Sequence, residues 1–165
     1  MSADIVRYAG GGNALARTGD DEVVGAQRQV VTVVIERQTF GIPVLVVQDI
    51  LGPQKITRVP LAPAEVAGAL NLRGRIVTAI NVRRRLGLAP RPAEMKGMNV
   101  VVEHDGELYS LMVDGVGEVL SLDDARFERN PANLAQHWRD VSLGVYRLND
   151  KLLLVLDVER LFEFG

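Results

Sequence analysis

The sequence predicts an all-β fold in which two similar small barrels face each other, with only a few short helices. Three observations predict it: the chain repeats its own apolar pattern, Val, Ile and Thr dominate from Gln29 onward, and strand-like runs follow one another at short spacing. β-branched residues fit a pleated surface. Closely spaced strands with little helix between them are typical of barrels rather than of a parallel sheet with crossover helices.

The internal repeat has two offsets. An offset of 69 residues places Phe40 on Tyr109, and a later offset of 76 residues places Asn81 on Asp157. Two copies are fewer than the three or more that a solenoid needs. We therefore predict one domain over 29–165 that contains two similar subdomains, at about 29–86 and 97–162. We expect function in the surfaces that the subdomains form together.

Strands are predicted wherever β-branched runs are bounded by turn residues. In the first copy they cover 29–36, 41–51 and 74–80, and in the second copy 99–104, 108–120 and 151–156. Asp105-Gly106 and Asn149-Asp150 provide the turn chemistry that tight hairpins need. The joint between the copies is 87–98, and the seven extra residues of the second copy are expected within 121–140.

Helices are predicted at four places. Pro63 suits the first turn of a short helix that continues through Val66 and Ala69. Asn130-Pro131 is typical of the start of a helix that places Leu134, His137 and Trp138 on one face. Asn81 and Asp157 follow strands at equivalent positions, so each is expected to cap a short helix.

The length, net charge and composition of the chain exclude several classes of protein. A chain of 165 residues has room for one ordinary domain, and its net charge of −2 argues against a protein that binds phosphate backbones. The absence of cysteine excludes disulfides and thiolate metal sites. Residues 1–28 contain Gly10-Gly11-Gly12 and few large apolar side chains, which predicts a mobile tail. The longest apolar runs are too short to span a bilayer and the start is unlike a signal peptide, so we expect a cytoplasmic protein without membrane insertion.

Motifs for catalysis or cofactor binding are missing from the sequence. His104 and His137 have no second histidine or acid at the spacing of metal ligands. Gly115-Val116-Gly117 lacks the third glycine of a dinucleotide fingerprint. We therefore expect no enzymatic activity and no metal or nucleotide cofactor. The basic run 83–85 is the best case for nucleic-acid binding, but no aromatic residue is interleaved with it, so a solvated cluster at a helix end is favoured.

One stretch, 44–51, departs from the alternation expected of a half-exposed strand. It is apolar on both faces until Gln48 and Asp49, and its repeat at 112–120 has the same character. Two interpretations remain open at this stage. The stretch is either a strand buried between the barrels or an apolar docking groove with a charge at its edge.

Several blocks, at the separations found here, resemble the CheW family of bacterial chemotaxis coupling proteins. The resemblance covers about 29–162. The blocks that carry it are Phe40-Gly41-Ile42 with Val47-Gln48-Asp49-Ile50, Ile56-Thr57-Arg58-Val59-Pro60, Asn71-Leu72-Arg73-Gly74 and Val113-Asp114-Gly115-Val116.

The resemblance implies two intertwined five-stranded SH3-like barrels and no enzymatic activity. It implies an adapter that couples the cytoplasmic tip of methyl-accepting chemoreceptors to a CheA-type histidine kinase, through that kinase's own CheW-like regulatory domain. The expected location is the cytoplasm, at membrane-associated chemoreceptor arrays. Two alternatives stay open: a CheW-like scaffold of a non-chemotaxis chemosensory pathway and, in a different class, a tandem-barrel nucleic-acid-binding protein.

The resemblance also maps two binding sites onto this sequence. In the resembled family the acid and the arginine at positions 49 and 73 stand beside each other at the receptor groove and are needed for signalling. The kinase contact maps onto Ile56, Arg58 and Val59. The receptor groove maps onto Val44, Val47, Asp49, Ile50, Arg73, Val116 and Val119.

Overall fold

The computed structural model describes residues 26–164. The predicted tail, 1–28, lies outside the described residues except at its end, where Gln27 and Arg28 belong to the first strand. Short helices lie between the strands and after the last one: the 3-10 helices η1 Val44–Val46 and η2 Asp124–Arg126, and the α-helices α1 Val82–Arg85, α2 Gln136–Arg139 and α3 Val158–Leu161. The strands are β1 Gln27–Ile35, β2 Gln38–Pro43, β3 Val47–Leu51, β4 Val66–Leu72, β5 Arg75–Asn81, β6 Met98–His104, β7 Glu107–Val113, β8 Gly115–Asp123, β9 Ser142–Arg147 and β10 Leu152–Leu156.

The strands form two five-stranded sheets, ordered β8-β1-β2-β10-β9 and β3-β6-β7-β5-β4. The sequence repeat converts one order into the other, because β1 to β5 of the first copy correspond in turn to β6 to β10 of the second. Each sheet therefore contains one strand for each of the five strand positions of the repeat, and it takes those strands from both copies. The predicted all-β fold of two intertwined five-stranded barrels is confirmed.

The two sheets also share their register. Val33 pairs with Phe40 in the first sheet, and the equivalent residues Val102 and Tyr109 pair in the second. β2 lies parallel to β10 as β7 lies parallel to β5. A slip of one residue would turn every apolar side chain to the opposite face, so the repeated apolar pattern imposes the same register on both sheets.

Three apolar clusters form the core, and they explain why several strands are apolar on both faces. In β10, Leu153 and Val155 pack in a cluster within the first barrel, with Val30 and Leu120. Leu154 of the same strand points the other way, into a cluster that both barrels share. Successive side chains of a strand point to opposite faces. A strand between a barrel core and the shared core is therefore buried on both sides. The third cluster, within the second barrel, contains Leu70, Val77, Ala79 and Val101.

Several sequence-based boundaries were wrong. The run predicted as one strand over 41–51 is interrupted by η1, and the run over 108–120 breaks at Asp114. The helix predicted after Pro63 is instead strand β4, because this segment pairs with β5 and buries Leu70 in the second barrel. Tertiary pairing has overridden a local helix signal here.

Predictions about helix caps had mixed outcomes. The side chain of Asn81 accepts a hydrogen bond from Arg84 N (3.1 Å) and that of Asp157 accepts one from Arg160 N (3.2 Å), so both predicted caps are confirmed. Asn130 does not cap a helix. Its Nδ2 donates to Ser142 O (3.0 Å) and its Oδ1 accepts from Ser142 Oγ (2.8 Å), while helix α2 begins only at Gln136.

A buried ion pair holds the point where the chain crosses from the second sheet to the first. Asp114 lies between β7 and β8, and Arg83 of α1 donates from Nε to Oδ1 (3.0 Å) and from Nη2 to Oδ2 (2.7 Å). The amide N–H of Glu36 also donates to Oδ2 (2.7 Å). Burial alone would raise the pKa of Asp114, but the hydrogen bonds from Arg83 and Glu36 and nearby positive charge outweigh it and hold the pKa below its usual value.

Candidate docking site

The structure brings Asp49 and Arg73 into contact. Asp49 lies on β3, the edge strand of the second sheet, and Arg73 lies in the tight turn between β4 and β5. Arg73 Nη2 is 2.8 Å from Asp49 Oδ2, while Asp49 Oδ1 accepts a hydrogen bond from Ile50 N (2.9 Å). The arginine side chain is 74% exposed and the carboxylate 23%. A surface pair of this kind stabilises a fold weakly, so both charges remain available to a partner.

The turn that carries Arg73 has an unusual backbone. Arg73 and Gly74 both have positive φ, at 51° and 85°, as in the tightest hairpin turns. Glycine adopts this conformation easily, whereas arginine does so at a cost. The side chain of Asn71 accepts a hydrogen bond from Gly74 N (2.9 Å) and stabilises the turn. The turn therefore holds the guanidinium beside β3.

The apolar residues next to Asp49 divide between core and surface. Val44, in η1, is half-buried, and Val47, on β3, is half-buried and packs against the shared core. Ile50 is 39% exposed. The two interpretations of the 44–51 run thus each apply to part of it: Val47 borders the core, while Ile50 faces outward beside the acid.

Val116 and Val119 lie on β8, the edge strand of the other sheet. They are the repeat equivalents of Val47 and Ile50, and the parallel extends to burial. Val116 packs against the shared core and Val119 is 49% exposed. Each barrel therefore has, at equivalent positions of one edge strand, a valine packed against the shared core and an exposed aliphatic residue.

The parallel between the barrels fails for the charges. Glu118 occupies the position equivalent to Asp49, but Asn149 occupies the position equivalent to Arg73. The acid–arginine contact therefore belongs to the second barrel alone. This difference makes the two edge strands chemically distinct.

The three candidate kinase-contact residues lie in the loop between β3 and β4. Ile56 is half-buried against the core of the second barrel, and the next residue, Thr57, pairs with Ala69 of β4. Arg58 is exposed and Val59 is 42% exposed. Ile56 thus anchors the segment, and the two residues that follow the pairing project toward solvent.

The structure exposes five large apolar side chains that the sequence did not assign to a site: Leu45 at 93%, Leu61 at 104%, Ile76 at 72%, Leu143 at 50% and Met95 at 38%. Ile76 is the second residue of β5, two positions after Gly74. Its repeat equivalent, Leu152, is partly buried against the shared core. Since the two residues are chemically alike and occupy the same place in the repeat, no sequence signal distinguishes the exposed one.

A histidine has two acidic neighbours, of which one is adjacent in sequence and the other is distant. His104 Nε2 lies 3.4 Å from Asp105 Oδ2, and His104 Nδ1 lies 3.6 Å from Glu159 Oε2. The imidazole stacks on Phe162, with ring centroids 4.5 Å apart. The two carboxylates approach different ring nitrogens, an arrangement that does not suit three ligands converging on one ion.

These features define a class of protein: a binding module built on two intertwined barrels, with apolar and charged residues displayed on its edge strands and loops. Within 26–164, no helix has the length and apolar character needed to cross a bilayer. Comparison with known proteins identifies the family. The model of the CheW-like domain matches residues 29–164, and the chain belongs to this family.

Individual relatives agree with the family match. The chemotaxis protein CheW of Helicobacter pylori is 27% identical over 135 residues, which cover 82% of this chain and 81% of that protein. The chemotaxis protein CheW of Klebsiella aerogenes is 28% identical over 140 residues, covering 85% and 83%. Among solved structures, the scaffolding protein TtCheW from Thermoanaerobacter tengcongensis superposes with a TM-score of 0.75 at 25% identity, covering 84% of this chain and 94% of that one. The SH3-like character expected of the barrels agrees with this likeness.

Proposed function

We propose that this chain is an adapter that couples chemoreceptors to a CheA-type histidine kinase in chemotaxis signal transduction. The observation that carries the proposal is the match of the CheW-like family to nearly all of the described chain. Relatives named as chemotaxis proteins and a neighbour named as a scaffolding protein support it. The chain works by binding and positioning other proteins rather than by catalysis.

The receptor surface that we propose spans the edge strands β3 and β8. Its charged part is Asp49 with Arg73, and its apolar part combines residues of β3 and η1 with their equivalents on β8. An exposed aliphatic residue on each of these strands, Ile50 and Val119, suits the apolar face of a helix, and the charges would fix its orientation. The partner is the cytoplasmic tip of a chemoreceptor. The apolar residues proposed are Val44, Val47, Ile50, Val116 and Val119.

The kinase surface that we propose is the loop segment of Ile56, Arg58 and Val59. Exposed Arg58 and Val59 would contact the CheW-like regulatory domain of the kinase, while Ile56 holds the segment on the second barrel. Binding of both partners would place the chain in the cytoplasm at membrane-associated receptor arrays. We further propose that the subdomain copies, 29–86 and 97–162, act as one unit because each barrel takes strands from both.

The test of this function is reconstitution of receptor-stimulated autophosphorylation of the kinase. Purified chain, receptor-containing membranes and kinase are combined, and wild-type chain is expected to raise the rate of autophosphorylation. Asp49→Arg and Arg73→Asp are each expected to impair this coupling, while changing the free energy of unfolding by only about 0–1 kcal/mol.

The double reversal is expected to recover part of the lost coupling, because it removes the like-charge contact. Arg75→Asp serves as a control, since Arg75 is an exposed arginine of the same hairpin. If wild-type chain has no effect on the kinase, the adapter function is wrong. If the double reversal is no better than the worse single variant, the two charges act on the partner separately.

A further inference from the structure

A small pocket opens in the second barrel, beside the proposed kinase segment. Its volume is about 50 Å³. Ile56 of that segment forms part of its wall together with Gln54, and Arg91 and Lys96 of the joint between the repeats form another part. The pocket thus connects the loop between β3 and β4 with the joint, two segments that are far apart in sequence.

The floor of the pocket is fixed by satisfied hydrogen bonds. Asn99, which lines the pocket, is only 5% exposed. Its Nδ2 donates to Gly52 O (3.1 Å) and its Oδ1 accepts from Ser110 Oγ (2.9 Å). Met98 and Met112 add apolar surface. A buried amide held by a hydrogen bond at both its nitrogen and its oxygen, with apolar neighbours, forms a firm base, so binding there would require little reorganisation.

Arg91 is held in place by the joint itself. Its Nε donates to Met95 O (3.1 Å). The guanidinium lies over Gly97, where a Cβ would stand 2.5 Å from Nη1, and Gly97 has φ of 73°. Glycine suits this position because of its positive φ, and its missing side chain leaves room for the guanidinium.

The two cations that line the pocket form no ion pair among residues 26–164. The ion pairs of this part of the chain involve other residues, and neither Arg91 nor Lys96 takes part in one. Lys55, exposed between two lining residues, adds positive charge, and Glu94 is an exposed acid of the joint. Arg91 lies near enough to the buried Asp114 to help lower the pKa of that carboxyl, but Asp114 is already paired with Arg83, so the charge beside the pocket remains positive and favours an anionic occupant.

We propose that this pocket receives a carboxylate side chain from the regulatory domain of the kinase, and so anchors the kinase contact. This inference rests on the proposed function. A guanidinium and an ammonium together suit a carboxylate, and the apolar walls suit its methylene stem. The pocket is lined by no aromatic side chain on which a base could stack, so a protein carboxylate fits it better than a nucleic acid does.

The test measures binding of a purified CheA-type kinase from the same organism to the chain and to charge-reversed variants. Arg91→Glu with Lys96→Glu is expected to weaken kinase binding about 10-fold or more and to leave receptor binding unchanged. The conservative exchange, Arg91→Lys with Lys96→Arg, should keep most of the affinity. Lys151→Glu is the matched control, because Lys151 is an exposed lysine in a turn outside the pocket. Thermal melting verifies that each variant is folded.

The outcomes separate the two proposals. If wild-type chain binds no kinase, the proposed function fails and this inference fails with it. If wild-type chain binds but the charge-reversed variant binds equally well, the pocket proposal alone is wrong. It is also wrong if receptor binding falls in parallel with kinase binding, or if a single-stranded oligonucleotide displaces the kinase from wild-type chain but not from the variant. Weaker kinase binding that depends less on salt than in wild type supports it.

Discussion

The buried ion pair of Arg83 and Asp114 is expected to stabilise the fold cooperatively, so that removing one partner can lower the free energy of unfolding more than removing both. Their side chains are 10% and 8% exposed, and the arginine approaches the carboxylate with two nitrogens, at 3.0 and 2.7 Å. The two residues come from different repeat copies, so the pair ties α1 to the crossing between the sheets. The perturbation is a set of three variants: Arg83→Met, Asp114→Leu and both together. Leucine is chosen because Leu45 is the repeat equivalent of Asp114.

The expected magnitudes follow from what each variant leaves behind. Arg83→Met leaves the carboxylate buried with only the Glu36 amide as a donor, and Asp114→Leu leaves a buried guanidinium with only the Ala89 and Pro90 carbonyls as acceptors. Removing one partner of a buried pair costs about 3–5 kcal/mol. The double variant loses both charges, so its main cost is the unpaired amide and carbonyl groups, about 1 kcal/mol each.

The assay is urea denaturation of the four proteins, followed by circular dichroism. The double variant is expected to be more stable than at least one single variant, with a coupling energy of several kcal/mol. The control is the pair of Arg147 and Glu128, whose side chains are 62% and 45% exposed and whose loss should cost about 0–1 kcal/mol. If the two single effects simply add in the double variant, the residues do not act as a buried pair and the reasoning is wrong.

Three further predictions concern pH, the docking strand and a tightly packed glycine. The pKa of Asp114 is lower in the folded chain than the usual value of about 3.9, so its contribution to stability is complete above that value and is lost as the pH falls through the lowered pKa. Urea titrations from pH 6 to 2 should therefore show a smaller acid-induced loss of stability in Asp114→Asn than in wild type. Equal losses in the two proteins would contradict this prediction. Val47→Asp is expected to lower the free energy of unfolding by about 1–3 kcal/mol because Val47 packs against the shared core. Ile50→Asp should weaken receptor binding with little change in the melting temperature. If instead Ile50→Asp is the destabilised variant and Val47→Asp melts like wild type, the assignment of the two residues to core and surface is reversed. A Cβ at Gly144 would lie 2.6 Å from a backbone carbonyl oxygen, so Gly144→Ala should clearly lower the urea concentration at the unfolding midpoint. Gly52→Ala is the control and should leave the midpoint unchanged, because a Cβ at Gly52 would meet no atom within 4 Å. Equal midpoints for the two variants would rule out the steric argument.

Much of the fold could be predicted from the sequence because the signals are local and occur twice. The apolar pattern at offsets of 69 and 76 residues predicts two equivalent sets of strands, and both sheets show the same order and register. Asn81 and Asp157 could be predicted as caps, since capping depends on a side chain and an amide three residues away. The contact between Asp49 and Arg73 could be expected only from the resemblance to the CheW family, because no local rule relates a strand to a hairpin more than twenty residues later.

Only the tertiary structure decides which copy supplies each strand of a barrel. The two copies carry nearly the same pattern, so strand pairing within a copy and between copies satisfies the same apolar periodicity. The crossings at η1 and at Asp114 select the exchanged arrangement, and at Asp114 a buried ion pair with Arg83 accompanies the crossing. The tertiary structure alone also decides which apolar side chains are exposed. Ile76 and Leu152 are equivalent in sequence, yet one is 72% exposed and the other partly buried, because burial depends on which distant segments pack over a strand.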